Sequence, residues 1–432
     1  MPAITSNSVT IRPARNLAGA VRLPGDKSIS HRYAMLAALA EGRTRLENFA
    51  SGADCASTLG CVESLGCRVV RDSSGAIEIH GLGPALRAPA SALDCGNSGS
   101  TIRMLSGILA GQSFVSELAG DESLSRRPMQ RIIEPLSAMG ARIESSNGRP
   151  PLRISGGRLK GISYKLPVAS AQVKSCLLFA GLLAEGETQV EEPLRTRDHG
   201  ELALRAFGAE VSRQRNRATI AGGQKLHPIE AAIPGDISSA AFFLCAAALF
   251  PESNLVIDDL LLNPTRAAIL DVLAAMGVRS AILKAEERHG EVVGSIAVQP
   301  GHMRGATIAG AQSALLIDEL PVLAAIAPYT EEGVEIRDAR ELRVKESDRI
   351  AAVARNLRAM GAEVEEREDG LRVPGRQKLR GAEVDAMGDH RIAMAFAVAA
   401  LRAQGETVIR GADSARISFP AFFTTLDAVV ER

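Results

Sequence analysis

The chain repeats one local pattern six times, and this repeat restricts the possible folds more than any other feature. Each copy is a polar turn followed by an apolar helix of small residues, as in DKSISHRYAMLAALA and DHRIAMAFAVAALRA. The intervals between successive copies are 68, 76, 66, 82 and 71 residues. The copies are marked by Asp26, Asp94, Ser170, Asp236, Asp318 and Asp389. A period of this size indicates a structure built from similar supersecondary units.

A second helix follows in most units and ends at a glycine, as in IIEPLSAMG and AVARNLRAMG. Short alternating runs such as VTIRPA and ATIAG predict strands. A chain of 432 residues exceeds one ordinary core, so two domains of about 200 residues are expected. We therefore predict an α/β protein of two pseudo-symmetric domains with three repeats each. LPGDKSI is echoed by IPGDISS, which predicts a boundary near Pro234.

The composition argues against nucleic-acid and membrane partners. Basic and acidic residues number 50 each, so a generally basic surface is not expected, although a local cationic pocket is compatible with this balance. MPAITSNSVTIRPA has no apolar signal segment, and AAFFLCAAALF is too short to cross a bilayer. The cysteines form no C-x-x-C pair, which predicts mostly buried, reduced thiols in a cytoplasmic protein, with a zinc site as the weaker alternative. They are Cys55, Cys61, Cys67, Cys95, Cys176 and Cys245.

Cations stand at helix starts, where the helix dipole disfavours them. Basic residues occupy or follow four of the six turns: Lys27 and Arg32, Arg103, Lys174, and His390 with Arg391. A solvated surface position is the simpler interpretation of any one of them, and we prefer it for Lys174. Four such turns at equivalent repeat positions instead predict a bound anion, because a helix N-terminus also attracts anions. We therefore expect a ligand with phosphate or carboxylate groups.

Two further segments carry charge outside the repeat. In SRRPM two arginines precede Pro128, which we expect at the first position of the following helix. In RVKESDRI, Lys345 and Arg349 are four residues apart and are expected on one helical face beside Glu346. A solvated charge lattice is the simpler interpretation of this segment alone, but the cationic helix starts favour a site. NSGS at 97–100 is a turn whose N–H groups could hold an anion.

Three single residues have both an ordinary and a functional interpretation. Asp318 follows apolar ALLI and precedes LPVLA, which places it between a predicted buried strand and a buried helix. It could cap that helix, or it could transfer a proton if it lies beside a cationic pocket. Asp236 is interpreted as a plain helix cap, and His31 as a hydrogen-bonded histidine at a helix start.

Eight motifs occur in order along nearly the whole chain: LPGDKSISHR, GNSGSTIR, RRPM, ASAQVKS, TRDH, DELP, RVKESDR and GDHRIAMAF. Together they resemble the 5-enolpyruvylshikimate-3-phosphate synthase family of enolpyruvyl transferases. The resemblance implies transfer of the enolpyruvyl group of phosphoenolpyruvate to the 5-hydroxyl of shikimate 3-phosphate. It also implies an inside-out α/β barrel type fold with three βαβαββ units per domain and a cleft between the domains. The first domain would be 1–23 plus 236–432, and the second 24–235.

The resemblance also implies the residues that contact each substrate. Shikimate 3-phosphate would contact Lys27, Ser28, Arg32, Ser170, Ala171, Gln172, Arg197, Asp318 and Lys345. Phosphoenolpyruvate would contact Lys27, Gly99, Arg127, Gln172, Arg349 and Arg391. Asp318 would accept the proton of the 5-hydroxyl, and Glu346 with Lys27 would protonate the methylene carbon. No metal or other cofactor is implied, the partners are these small molecules, and the chain is expected to be a monomer.

The sequence departs from the family pattern at two positions. Ala171 stands where many relatives have a second Ser, so one phosphate contact would fall to the backbone. Ile417 stands where some relatives carry a phosphoenolpyruvate-binding Lys, and Arg416 is the nearest basic residue. Gly99 leaves room beside the phosphoenolpyruvate position, which predicts sensitivity to glyphosate.

Three alternatives compete with this interpretation. UDP-N-acetylglucosamine enolpyruvyl transferase shares the fold and the donor, but it carries a Cys before its Arg-Pro pair, and this chain has none from 96 to 175. A nucleic-acid-processing protein is disfavoured by zero net charge, three Tyr and no Trp. A sensor of phosphorylated ligands would not need Asp318 and Glu346 beside the basic cluster.

Overall fold

The computed structural model describes residues 4–5, 7–299 and 301–432. Residues 1–3 and 6 lie outside the described residues. They belong to the N-terminal stretch for which no signal segment was predicted and to the predicted domain segment 1–23. The helices are α1 Lys27–Leu39, α2 Ala53–Ser64, α3 Gly99–Ala110, α4 Glu122–Ser125, α5 Gln130–Ala138, α6 Ala171–Leu182, α7 His199–Ala206, α8 Ile237–Ala248, α9 Ala268–Ala275, α10 Ala311–Leu315, α11 Leu320–Ile326, α12 Arg349–Ala359, α13 His390–Ala400 and α14 Phe422–Val429.

The strands are short and are spread evenly along the chain. They are β1 Ile4–Thr5, β2 Ser8–Ile11, β3 Asn16–Arg22, β4 Gly42–Glu47, β5 Arg68–Arg71, β6 Ile77–Gly81, β7 Leu93–Asp94, β8 Val115–Ala119, β9 Arg142–Ser146, β10 Arg149–Ser155, β11 Ser163–Lys165, β12 Glu187–Glu191, β13 Val211–Gln214, β14 Arg217–Ala221, β15 Glu230–Ala232, β16 Asn254–Leu261, β17 Arg279–Arg288, β18 Glu291–Gln299, β19 Ala306–Ile308, β20 Val334–Ile336, β21 Glu365–Arg367, β22 Gly370–Val373, β23 Glu383–Asp385, β24 Thr407–Arg410 and β25 Val430–Glu431. Short 3-10 helices cover Ala327–Tyr329, Arg340–Val344 and Ala412–Ile417.

The chain divides into two compact units, which we number 1 and 2. Unit 1 consists of Met1–Pro24, Pro234–Glu286 and Val292–Arg432. Unit 2 consists of Gly25–Ile233 and Glu287–Glu291. Unit 1 is discontinuous because β3 pairs in parallel with β16, which follows the whole of Gly25–Ile233 in the sequence.

All six sheets share one pairing pattern: a parallel pair continued by antiparallel strands. In unit 2 the strand orders are β15-β4-β6-β5, β7-β8-β10-β9 and β11-β12-β14-β13. In unit 1 they are β19-β20-β22-β21, β23-β24-β2-β1 and β3-β16-β18-β17, with β25 added beside β3. The predicted α/β class and its repeated unit are confirmed.

Buried helices of small residues form the core of each unit. All twelve residues of α8 are buried, as predicted for AAFFLCAAALF, and α13 is buried except for one residue. Five of the six leading helices begin at a side-chain cap, because an Asp or Ser oxygen accepts a backbone N–H of the first turn. The caps are Asp26, Ser98, Ser170, Asp236 and Asp389. Strands such as β10 alternate buried and exposed residues, so one face of the sheet covers the helices.

Two local predictions are wrong. The segment before Asp318 is the helix α10 and a following turn, not a strand, and the cap position of α11 is Glu319, without a side-chain cap bond. Pro128 lies two residues before α5, whose cap position is Met129, so it is not the first helical residue. Both errors concern places where a short turn separates two helices.

All six cysteines are buried thiols without a disulfide. No helix in the part of the chain that the structure describes is long and apolar enough to cross a membrane.

Glycine allows α3 and α6 to pack closely in unit 2. A Cβ added to Gly107 would lie 2.1 Å from the carbonyl oxygen of Cys176. The backbones of the two helices therefore meet at a position that admits no side chain.

Gly107→Ala is expected to lower the free energy of unfolding by about 1–3 kcal/mol, because the new methyl group overpacks the contact. Gly60→Ala is the matched control, since Gly60 is exposed on α2 with open space around its Cβ position. That change is expected to raise stability by roughly 0.5–1 kcal/mol. Urea unfolding followed by circular dichroism measures both, and a Gly107→Ala protein as stable as the parent would contradict the packing argument.

His31 is a buried histidine on α1 that forms a hydrogen bond through one ring nitrogen, while its Nε2 has no hydrogen-bond partner among the described residues. Its Nδ1 lies 2.7 Å from Thr58 Oγ1, and Thr58 in turn contacts Thr101 at 2.7 Å. Burial, followed by the charge of Lys27, lowers the pKa of His31 to about 3. Between pH 6.5 and 3 the unfolded chain therefore binds a proton that the folded chain excludes, so stability falls as the pH falls.

From pH 7.5 to pH 5, His31 is expected to contribute a loss of about 2 kcal/mol in the free energy of unfolding. His31→Gln should therefore lose less stability than the parent over this interval, whatever its stability at pH 7.5. The exposed His227 provides the control His227→Gln, which should lose as much as the parent. Urea titrations at both pH values give the comparison, and equal losses for parent and His31→Gln would refute the assignment.

Candidate active site

The leading helices α1, α3 and α6 of unit 2 bring their N-terminal ends together. Side chains near the start of one helix bond to the start of another, through Arg32 on α1, Arg103 on α3 and Gln172 on α6. Each of these helices begins at a capped turn, and the three long polar side chains lie near those N-terminal ends. The expected convergence of helix starts therefore occurs within this unit.

Arg32 is buried and held by neutral acceptors. Its Nε and Nη2 donate to Ser175 Oγ at 3.1 and 2.9 Å, and its Nη1 donates to the carbonyl oxygen of Ser28 at 2.8 Å. Nη2 also lies 3.3 Å from the carbonyl oxygen of Ala171. Burial lowers the pKa of Arg32 to about 10, and the nearby charge of Arg197 adds to this effect. The guanidinium is thus a charged group in a desolvated position, which strengthens its interaction with an anion.

Gln172 has a fixed side-chain amide. Arg103 Nη1 donates to Gln172 Oε1 at 2.9 Å, and Gln172 Nε2 donates to Ser100 Oγ at 2.9 Å. Both ends of the amide are therefore defined by α3 before any ligand binds. Ser170, two residues earlier, caps α6 through its Oγ.

Gly99 is the first residue of α3 and lies beside two arginines. A Cβ at this position would be 2.7 Å from Arg103 Nη1 and 3.3 Å from Arg127 Nη1. Arg127 Nη2 donates to Asn97 Oδ1 at 2.7 Å and to Ser123 Oγ at 3.2 Å, which fixes it next to the same turn. The NSGS turn and Arg127 thus form one cationic position with little room for a side chain.

Lys27, the first residue of α1, is paired with a carboxylate. Its Nζ contacts the carboxylate of Asp54 on α2, and the side chain of Lys27 is about a quarter exposed. The half-buried Ser28 follows it on the first turn of α1. The dipole conflict noted in the sequence is therefore relieved here by a carboxylate of the protein itself.

Lys174 is not a solvated surface lysine, and that prediction is wrong. It is fully buried, with Nζ 2.9 Å from both Glu192 and Glu201. Arg213 contacts the same two carboxylates at 3.2 and 2.6 Å. Burial of this charge is tolerated because two carboxylates surround it. Lys174 was expected not to bind a ligand, and its pairing with Glu192 and Glu201 agrees with that expectation. The reason is internal ion pairing and not exposure to solvent.

In unit 1, Arg349 is the centre of the predicted site residues. Its Nη2 donates to Glu346 at 2.6 Å and its Nε to Asp389 at 2.8 Å, while Nη1 lies 3.7 Å from Asp318 Oδ1. Burial opposes its charge, but Asp389, Glu346 and Asp318 outweigh that effect and raise the pKa of Arg349. Nη1 is buried without a hydrogen-bond partner among the residues that the structure describes.

Asp318 lies between two arginines at the start of α11. Its carboxylate is 3.7 Å from Arg349 and 3.8 Å from Arg391, and its backbone carbonyl accepts a bond from Arg391 Nη1 at 2.8 Å. The side chain is about one-fifth exposed, so it is accessible to a ligand. This partly exposed carboxylate is placed where it could accept a proton from a group next to a bound anion.

Lys345 and Arg349 do not share a helical face, contrary to the prediction from their spacing. The segment between them is a bend, and α12 begins only at Arg349, with Asp348 as its cap. Lys345 Nζ instead lies 3.4 Å from Glu341. Glu346 lies on the bend and accepts a hydrogen bond from Arg349. Of Lys345, Glu346 and Arg349, the last two are therefore in direct contact.

Asp389 and Ser175 were not among the predicted site residues, although each contacts one. Asp389 pairs with Arg349 and also caps α13 through the N–H of Arg391. Burial opposes ionisation of Asp389, but the charge of Arg349 lowers its pKa. The cap motif GDHR could have identified Asp389, whereas Ser175 has no signal beyond its helical spacing from Ala171.

The clusters described above combine arginine and lysine side chains with carboxylates. Within residues 4–5, 7–299 and 301–432, no group of three His, Cys, Asp or Glu side chains is arranged to hold a metal ion. Unit 2 supplies nine predicted ligand residues: Lys27, Ser28, Arg32, Gly99, Arg127, Ser170, Ala171, Gln172 and Arg197. Unit 1 supplies five: Asp318, Lys345, Glu346, Arg349 and Arg391. Cations and hydrogen-bond donors of this kind suit phosphate and carboxylate groups.

Comparison with known proteins gives one family. The model of the EPSP synthase (3-phosphoshikimate 1-carboxyvinyltransferase) family matches residues 11–426. A 3-phosphoshikimate 1-carboxyvinyltransferase of Koribacter versatilis is 65% identical over 98% of this chain and all of its own length. One of Solibacter usitatus is 56% identical over 98% of this chain and 99% of that protein.

The fold agrees with a solved structure of the same family. EPSP synthase from Acinetobacter baumannii matches with a TM-score of 0.88 and 42% identity, covering 98% of each chain. The α/β architecture with its repeated sheets is therefore that of these enzymes. A family match over nearly the whole chain, with relatives this similar, shows that the chain belongs to the EPSP synthase family of transferases.

Proposed function

We propose that this chain transfers the enolpyruvyl group of phosphoenolpyruvate to the 5-hydroxyl of shikimate 3-phosphate, releasing phosphate. The reaction belongs to the shikimate pathway of aromatic amino acid biosynthesis. The observation that carries the proposal is the arrangement around Arg349. Two carboxylates, Asp318 and Glu346, flank one buried guanidinium that retains an unsatisfied N–H group. This arrangement offers a proton acceptor and a proton donor beside an anion-binding cation.

We propose the following ligand residues for each of the two substrates. For shikimate 3-phosphate these are Lys27, Ser28, Arg32, Ser170, Ala171, Gln172, Arg197, Asp318 and Lys345. For phosphoenolpyruvate these are Lys27, Gly99, Arg127, Gln172, Arg349 and Arg391. The proposal is supported by the burial of Arg32 and Arg349, because a desolvated guanidinium binds a phosphate or carboxylate strongly.

The proposed reaction has two steps. Asp318 accepts the proton of the 5-hydroxyl while the hydroxyl oxygen attacks carbon 2 of phosphoenolpyruvate. Glu346 with Lys27 delivers a proton to carbon 3. The product of this addition is a tetrahedral intermediate. Phosphate then leaves carbon 2, and loss of a proton from carbon 3 restores the double bond. The proton lost from carbon 3 returns to the group that supplied it, and the proton taken up by Asp318 goes to the departing phosphate, so the net products are the enolpyruvyl ether and phosphate.

The charges of the clusters suit this sequence. Positive charge develops at carbon 2 as protonation of carbon 3 or departure of phosphate proceeds, and the carboxylates of Asp318 and Glu346 would stabilise it. Arg349 and Arg391 would hold the donor's negative groups near the same carboxylates. Two anionic substrates therefore require the mixture of cations and carboxylates that these residues provide.

UDP-N-acetylglucosamine enolpyruvyl transferase activity is the alternative, and the family match favours the first reaction over it. We further propose a cytoplasmic location and a monomeric state with the two small molecules as partners. Six buried thiols, none of them in a disulfide, support a reducing compartment. We propose residues 1–23 with 236–432, and residues 24–235, as the two functional domains.

Phosphate release from phosphoenolpyruvate is expected with shikimate 3-phosphate and not with UDP-N-acetylglucosamine. A Lys27→Ala variant should lose at least about 100-fold in turnover, because it removes a cation and a proton donor at once. The matched control is Lys165→Ala, since Lys165 is about three-quarters exposed on β11. That variant should turn over as the parent does.

A coupled phosphate assay measures these rates, and circular dichroism verifies that each variant is folded. Release only with UDP-N-acetylglucosamine, or with neither acceptor, would refute the proposed reaction. A folded Lys27→Ala protein with the parent's kinetics would refute the role of Lys27 alone.

Glyphosate is expected to inhibit the enzyme at low phosphoenolpyruvate, with the inhibition relieved as phosphoenolpyruvate is raised. The physical reason is that a small anionic molecule would compete with phosphoenolpyruvate for the cationic groups proposed to bind it. Initial rates over a grid of both concentrations give the test. Unchanged turnover at high glyphosate and low phosphoenolpyruvate would contradict this expectation.

A further inference from the structure

The two neighbouring acids of the DELP motif have different partners. Asp318 faces Arg349 and Arg391, as described above. Glu319 is buried with only 2% of its surface exposed, and it contacts Arg266 and Ser238. The proposed reaction assigns nothing to Glu319, so a buried carboxylate next to the proposed base has no explained role.

Glu319, Arg266 and Ser238 form a closed triangle of hydrogen bonds. Arg266 Nη1 donates to Glu319 Oε1 at 3.2 Å, the Ser238 hydroxyl donates to the same oxygen, and Arg266 Nη2 donates to Ser238 Oγ. All three residues are at most 4% exposed. A buried ion pair of this kind costs more to break than to keep, because removing one partner strands the other charge.

The triangle is fixed to two other elements of unit 1. Ser238 lies on the first turn of α8, where its N–H donates to the cap residue Asp236 at 2.7 Å. The backbone N–H of Arg266 donates to the carbonyl oxygen of Asn263 at 2.9 Å, in the turn before α9. Glu319 is thus held from α8 and from the α9 turn at the same time.

The backbone between the two acids is fixed on both sides. The carbonyl oxygen of Asp318 accepts from Arg391 at 2.8 Å, and the N–H of Glu319 donates to the carbonyl oxygen of Leu316 at 2.7 Å. The side chain of Glu319 adds the third restraint through Arg266. These restraints hold the backbone from which the Asp318 side chain extends.

We propose that Glu319 and Arg266, bridged by Ser238, are positioning residues that fix the orientation of the Asp318 carboxylate. This inference rests on the role proposed for Asp318 as the acceptor of the 5-hydroxyl proton. A proton acceptor must lie within hydrogen-bond reach of the group it deprotonates. A displacement of about 1 Å in a reacting group can cost 10²-fold in rate, so the restraint on Asp318 has a kinetic consequence.

A double-mutant cycle tests the proposal. Glu319→Gln keeps the shape of the side chain but removes the nearer of the two carboxylates that face Arg266, at 3.2 Å against 3.9 Å for Asp236, and it should lower kcat about 10–100-fold. Asp318→Asn should lower kcat further. In the Asp318→Asn background, Glu319→Gln should change the residual rate less than about twofold, because there is no longer a base to position. Single-turnover phosphate release with enzyme in excess measures the low rates.

Ser238 in the first turn of α8 and Ser253 in the segment after α8 provide a matched pair of milder variants. Ser238→Ala removes the bridging hydroxyl of the triangle, whereas Ser253→Ala removes a buried hydrogen bond from Ser253 Oγ to the carbonyl oxygen of Ala247 at 2.7 Å. Both changes remove buried hydrogen bonds, so both should lower stability. Only Ser238→Ala should lower kcat, by about threefold or more, and it replaces Glu319→Gln in the cycle if that variant does not fold.

The outcomes separate the inference from the proposed reaction. An Asp318→Asn enzyme with the parent's kcat would refute the role of Asp318 and the inference with it. If Asp318→Asn is impaired but folded Glu319→Gln and Ser238→Ala have the parent's kcat, the inference alone is wrong. Losses that multiply in the double variant would show that Glu319 acts independently of Asp318, which also overturns the proposal.

Discussion

A cation at the start of a helix needs a negative or strongly accepting neighbour, and this requirement organises both units. The helix dipole and the desolvated position both disfavour such a charge. Lys27 is balanced by Asp54, Lys174 by Glu192 and Glu201, and Arg32 by oxygen atoms of neighbouring residues. Much of the conflict seen in the sequence is therefore resolved by the protein, and a bound anion is needed only where acceptors are incomplete.

Arg349 is the clearest such place, because its partners leave one nitrogen unsatisfied. Three carboxylates surround it, and Nη1 remains buried without a hydrogen bond among the described residues. A ligand carboxylate or phosphate at Nη1 would complete the coordination of the guanidinium. The proposed reaction depends on this cation, since Asp318 faces it directly.

The repeated architecture could be predicted from the sequence because its signals are local. Capping residues and small apolar helices recur at a regular period, and Asp26, Asp236 and Asp389 cap helices as their positions indicate. The ligand residues themselves came from a family resemblance and remain predictions. Composition and spacing alone reached only an anion site, without the identity of the anion.

What could not be predicted depends on contacts between distant parts of the chain. The burial of Lys174 follows from Glu192 and Glu201, which lie in other elements, so its helix alone suggested a solvated lysine. The four-residue spacing of Lys345 and Arg349 suggested a shared helical face. The chain from Lys345 forms a bend instead, and α12 begins only at Arg349. A residue spacing indicates a shared face only where the helix is continuous.

The pairing of β3 with β16 also sets an order of events during synthesis. β3 leaves the ribosome first, yet its parallel partner is made only after the whole of Gly25–Ile233. Unit 2 can therefore complete its three sheets before β16 is available to pair with β3. The nascent chain carries an exposed strand edge through most of translation, and such an edge is the type of surface that chaperones protect from aggregation.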